Sequence, residues 1–177
     1  MTVKFKVMPD KRQKKLVNKT IKAYIAAYKH ISAYIFATRD LNQVRIYERL
    51  FYGLYEMYGL CPSMVKCAIG TVMAKYKLVK EINAVWTHLS FSNAEFFLQW
   101  KKDYFITENK VAFRTLNGWI NIPIGYNRAK KYLDRTWEIG SANLRRGTNK
   151  WILSISADKT KHTISAPARI VNNDKTA

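Results

Sequence analysis

Apolar and polar residues alternate at the start of the chain: Val3, Phe5 and Val7 are separated by Lys4 and Lys6. A period of two puts the apolar side chains on one face, so residues 1–8 read as a strand with a basic second face. Pro9 stops it. Asp10 is a helix N-cap, and Gln13 three residues later completes a variant of the capping box. The period then changes. Val17, Ile21, Tyr24, Tyr28, Ile31 and Ile35 recur three or four apart, the stripe of an amphipathic helix over 11–37. After a break near 38–42, a second helix covers 43–58, with Val44, Tyr47, Phe51, Leu54, Tyr55 and Tyr58 inward and Gly59 as its C-cap. Pro62 and Ser63 open a third over 63–80, with Met64, Val65, Ala68, Ile69, Val72, Tyr76 and Val79 on its apolar face. Three amphipathic helices with short connections predict a bundle.

Beyond residue 84, Gly, Asn and Thr punctuate short runs rich in Ile, Phe, Trp and Val. Strands are expected at 88–91, 95–100, 103–107, 110–115, 118–124, 137–145 and 150–157, with Asn117-Gly118 the strongest hairpin turn. Short antiparallel strands in this number suggest a small barrel. The fold class is therefore α+β. A small antiparallel β-barrel is built from 1–8 and 84–157, a three-helix bundle over 9–83 is inserted after its first strand, and 158–177 is a tail or linker.

Charge changes the picture. The 177 residues carry 31 Lys+Arg against 12 Asp+Glu, a net +19. Residues 1–80 hold +12 of this and residues 81–177 hold +7, so neither part is a neutral scaffold. Such a surplus repels itself unless a polyanion neutralises it, and nucleic acid is the obvious polyanion. With 48% hydrophobic residues the chain can build a core, which excludes a disordered basic tail as the whole molecule. No run of 18 apolar residues exists, so no membrane span is expected, and the N-terminus lacks the apolar block of a signal peptide. Cys61 and Cys67 lie six apart with no second pair to complete a zinc site, and read as buried thiols of a cytosolic protein.

Candidate chemistry narrows to binding. Two-metal phosphodiester cleavage needs converging carboxylates, and the acids here are scattered. Glu48 and Glu56 share a helix, but Arg45 and Arg49 surround Glu48. His30, His88 and His162 have no companion motif, no Gly-rich phosphate loop is present, and no cofactor is expected. The basic clusters are more telling. Lys11, Arg12, Lys14 and Lys15 crowd the first turn of a helix, where positive charge opposes the macrodipole but would help hold a phosphate. Lys101, Lys102, Arg128, Lys130, Lys131, Arg145 and Arg146 sit at loops or strand ends, where barrels of this kind grip nucleic-acid backbones. Lys4, Lys6, Lys22, Arg45, Arg49, Lys66, Lys75, Lys77, Arg114 and Lys150 complete the candidate nucleic-acid contacts. Tyr126, between Gly125 and Asn127, is the candidate for stacking on a base. Trp119, Tyr132, Trp137 and Trp151 are expected in the core.

Several stretches, in order, resemble the N-terminal half of the TnpB family, the transposon-encoded RNA-guided nucleases related to type V CRISPR effectors. They are Lys4-Phe5-Lys6-Val7-Met8-Pro9 before a long helix, Tyr55 through Ser63 followed by Ala68 to Lys77, Leu116-Asn117-Gly118-Trp119-Ile120-Asn121-Ile122-Pro123, Trp137 through Leu144, and Lys150-Trp151-Ile152-Leu153-Ser154-Ile155. The resemblance implies an OB-like wedge barrel carrying a helical recognition lobe. Its implied partners are a guide RNA and target DNA, with the nuclease lobe outside these 177 residues, on a separate chain or a further half. It implies a non-catalytic role for this chain, in a prokaryotic, nucleoid-associated cytoplasmic setting. The alternative is a stand-alone transposon-derived DNA binder in which the second and third helices form a helix-turn-helix across Gly59–Ser63.

Overall fold

The computed structural model describes residues 1–92, 96–107, 109–124, 136–146 and 150–159. Strand β1 (Thr2–Val7) is followed by helices α1 (Lys11–Thr38), α2 (Gln43–Tyr58) and α3 (Pro62–Glu81). Six strands come next: β2 (Phe96–Leu98), β3 (Tyr104–Ile106), β4 (Lys110–Thr115), β5 (Gly118–Pro123), β6 (Trp137–Arg146) and β7 (Trp151–Lys159). Paired antiparallel, they form a four-stranded sheet in the order β1-β7-β6-β2 and a three-stranded sheet in the order β3-β4-β5. The helices thus lie in sequence between two strands of the larger sheet. The fold is α+β as expected, but among the described residues neither sheet closes into a barrel. Their edges meet at one bridge, Val7 to Ile124.

Local chemistry sets most boundaries. The Asp10 carboxylate accepts from the Gln13 N–H at 2.7 Å, and the Gln13 side-chain oxygen accepts from the Asp10 N–H at 3.0 Å, completing the capping box. Asn42 caps α2 through the N–H groups of Val44 and Arg45. Gly59 ends α2 in the left-handed region at φ +64°, and Pro62 begins α3, where a missing N–H costs nothing. Between β4 and β5 the register runs to Thr115–Gly118, leaving Leu116 and Asn117 as a two-residue hairpin loop.

The core is continuous between helices and sheets. The Tyr24 ring meets Phe96 edge-on at 5.2 Å, its hydroxyl donates to the Phe97 carbonyl at 3.3 Å, and Tyr28 lies 5.4 Å from Phe91. Such aromatic pairs add roughly 0.5–1.5 kcal/mol to the apolar burial itself. The hairpin is fastened to α1, because the Thr20 hydroxyl accepts from the Leu116 N–H at 3.2 Å.

Four expectations are corrected. Residues 88–91 form no strand. The Leu89 N–H donates to the Tyr76 hydroxyl at 3.1 Å and its carbonyl accepts from Ser32 at 2.9 Å, so side chains take the hydrogen bonds a neighbouring strand would take. In α2 the buried residues are Ile46, Leu50 and Leu54, while Val44 and Tyr55 point outward. Trp119 is 44% exposed, not part of the core. Residues 158–159, expected in the tail, continue β7.

Candidate nucleic-acid interface

Candidate cations stand exposed on the larger sheet and at the start of α1. On the outer face of the larger sheet, Lys6, Ile152 and Arg145 share one cross-strand row, with Lys4 two residues along β1. Arg146 and Lys150 are exposed at the end of β6 and the start of β7. At the start of α1, Lys11, Arg12, Lys14 and Lys15 are all exposed. The Gln13 amide donates to the Asn121 carbonyl at 2.7 Å, tying that basic turn to β5. Lys22 follows on α1. Elsewhere, Arg49 and Lys77 are exposed singly. Arg45 grips Asp40 at 3.1 Å and Lys75 sits 5.4 Å over the Phe91 ring, so both already serve the fold. Tyr126, Arg128, Lys130 and Lys131 lie outside the described residues.

The remaining candidates converge. Lys66 from α3, Lys101 and Lys102 from the turn before β3, and Arg114 from β4 line one cleft of about 520 Å³, together with Tyr47, Pro62, Ser63, Gln99 and Trp119. That volume lies within the roughly 300–1,000 Å³ of small-ligand sites. Arg114 and Trp119 are direct cross-strand partners, so both stand on the solvent face of the smaller sheet. Phe105 on β3 shares this face and is 39% exposed, its ring 5.3 Å from the Trp119 ring. Among the described residues the ion pairs are Arg45–Asp40 and the N-terminus with Asp158, so the four cleft cations have no acidic partner there.

A buried acid behind the cleft holds two of its lining residues, Ser63 and Gln99. Asp103 is fully buried between β3 and α3. Its carboxylate accepts from the Gln99 N–H at 3.0 Å, from the Ser63 hydroxyl, and from the Cys61 thiol at 3.7 Å. These bonds close the 99–104 turn, in which Lys101 takes the left-handed conformation at φ +62° and its N–H donates to the Tyr104 carbonyl at 2.8 Å. A side-chain-bearing residue rarely adopts that conformation, and the surrounding bonds hold it there. The turn therefore displays two adjacent lysines at the cleft mouth. Beneath it, Gln99 donates to Cys67, whose thiol is pushed up to about 11 by burial and by the nearby Asp103 charge. That thiol is protonated at neutral pH and is no nucleophile.

Other chemistry is not assembled among the described residues. No three His, Cys, Asp or Glu side chains are placed to hold a metal there. His30 contacts the Tyr58 hydroxyl and His88 packs on Phe36, both away from Ser63 and Asp103. Sequence reasoning named the four cations but missed Trp119, Phe105, Tyr47 and Gln99. A signal for Trp119 existed: once Ile120 and Ile122 face inward, parity turns Trp119 and Asn121 outward. A second depression of about 560 Å³ shares Tyr47 and Lys66 with the cleft. Tyr47 also begins an aromatic ladder on α2, in which the Tyr47 and Phe51 rings are 4.9 Å apart and Phe51 stacks on Tyr55 at 6.1 Å.

Among the described residues no single helix is long and apolar enough to cross a membrane. Compared with models of protein families and with curated protein sequences, the chain matches none.

Proposed function

We propose that the protein is a non-catalytic nucleic-acid-binding module, one that holds a guide RNA and helps engage target DNA for a nuclease supplied elsewhere. The observation that carries the reading is the convergence of Lys66, Lys101, Lys102 and Arg114, from three separate segments, on a cleft beside an exposed tryptophan. Cations contact phosphate oxygens, while an exposed aromatic offers a face to any base. The net +19 supports a polyanionic partner. The Val7–Ile124 bridge supports reading the two sheets as an open, OB-like wedge, and the position of α1–α3 between β1 and β2 supports reading the helices as its recognition-like insertion.

A helix-turn-helix reading has one observation in its favour: α2 and α3 differ in direction by 120° across a short turn containing Gly59. Against it, the first turn of α3, which would enter a groove, is tied to the 99–104 turn through Ser63 and Asp103. The experiment is purification of the full chain from its native host, followed by absorbance at 260 and 280 nm and extraction of bound nucleic acid. Bound RNA that leaves in high salt supports the proposal. A clean protein with affinity only for a short DNA duplex would replace it with the second reading, and one that binds no nucleic acid would overturn it.

A further inference from the structure

The cleft combines features that backbone binding alone does not require. Phosphate contacts need exposed cations, and the starts of α1 and β1 offer these on open surface. Here the cations instead ring a concave site of nucleotide scale. Its sheet-side wall carries Trp119 with nearly half its surface free, leaning on Phe105, with Arg114 directly across the strand pair. Gln99, whose side-chain amide donates to Cys67 beneath, adds a polar residue to the lining. Two lysines are presented by a turn that holds Lys101 in a disfavoured conformation, and local strain of this kind concentrates at sites of function.

Resting on the nucleic-acid reading above, we infer that this cleft captures one unpaired nucleotide of the bound strand: its base stacks on Trp119, and its phosphate lies among Lys66, Lys101, Lys102 and Arg114. A base stacked inside a duplex has no free face to lay on Trp119, so the site reads a bulge, loop or strand end by its being unpaired. Stacking of this sort tolerates sequence, because every base has a π-face. Specificity for an unpaired position, rather than for a sequence, is what the site adds to the electrostatic hold of the surface.

The test uses the full chain and two hairpin RNAs of equal length, one carrying a single bulged 2-aminopurine and one fully paired. The bulged hairpin is expected to bind about 10-fold more tightly, with the fluorophore quenched on binding. Trp119→Ala should abolish both the preference and the quenching while Trp119→Phe keeps them. Lys101→Gly gives a second route: it removes the charge but suits the left-handed backbone, so affinity should fall while the melting temperature holds or rises. A free purine mononucleotide should fail to displace the bulged hairpin at comparable concentration; if it succeeds, the cleft is a free-nucleotide site and the strand-bound form of the inference is overturned. If wild type binds both hairpins equally, or folded Trp119→Ala keeps the preference, the nucleotide pocket falls and nucleic-acid binding stands. If neither hairpin binds, both fall.

Discussion

Ser63, in the first turn of α3, donates its hydroxyl proton to the buried carboxylate of Asp103, forty residues away. This contact, with the Gln99 N–H bond to the same carboxylate, fixes the lysine-bearing turn against the helix that supplies Lys66. The negative charge also sits near the positive end of the α3 dipole, which favours it there. A buried acid thereby positions a basic surface without being reachable from it.

Asp103→Ala should lower stability by about 1–3 kcal/mol, because it leaves the partly buried Gln99 N–H and Ser63 hydroxyl without their shared acceptor. RNA affinity should fall with it, since Lys101 and Lys102 lose their fixed turn. Denaturant unfolding and binding titrations on the same preparation check both. A variant that kept full stability would show that water or a neighbour replaces the carboxylate.

Lys14→Ala with Lys15→Ala should separate binding from folding. Both lysines are exposed in the first turn of α1, which holds no acid, and their charge opposes the helix dipole. The melting temperature should hold or rise slightly, while the slope of log affinity against log salt flattens by roughly one to two. A fall in melting temperature without a binding defect would make this turn structural.

Gly140→Ala should destabilise the larger sheet without touching the cleft. A β-carbon at Gly140 would run into the Ser156 hydroxyl, which donates to the Ser141 carbonyl across a register shift between Ile139 and Ala142. Moving Ser156 aside would forfeit that bond, at about 1 kcal/mol. Thermal melts should show the loss, with RNA affinity unchanged.

Alkaline stability should depend on Cys67. Burial raises its pKa from 9.0 to about 11, so the folded state holds its proton more tightly than the unfolded chain does. The resulting stabilisation is complete below pH 9 and is lost as pH rises toward 11. Lysines and tyrosines also titrate in that window, so the readout is a difference. The stability advantage of wild type over Cys67→Ala should shrink between pH 9 and 11, and a constant gap would contradict it.

Features set by neighbours in sequence were legible. The capping box at Asp10, the stripe of α1, the stop at Gly59 and the Leu116–Gly118 hairpin all follow from residues within one or two turns of each other. The buried face of α2 was not, because two stripes of the same period compete there. Ile46, Leu50 and the expected Leu54 are buried, while Tyr47 and Phe51 pack half-buried at the core's margin and Tyr55 is exposed. Leu89 satisfied its backbone through Ser32 and Tyr76, contacts that no strand pattern encodes. The charges of Lys66, Lys101, Lys102 and Arg114 were plain, but their convergence was not, since it depends on Asp103 meeting Ser63.

The most direct test of nucleic-acid binding through the cleft is the salt dependence of RNA affinity for wild type and for the combined Lys66→Ala, Lys101→Ala, Lys102→Ala variant. Wild type should lose affinity steeply, with a log–log slope of magnitude on the order of five, reflecting release of counterions from several phosphates. The variant should bind more weakly and its slope should flatten by about two to three, with the melting temperature preserved. A salt-insensitive wild-type affinity, or a variant with the same slope and affinity as wild type, would contradict the assignment of this cleft to nucleic acid.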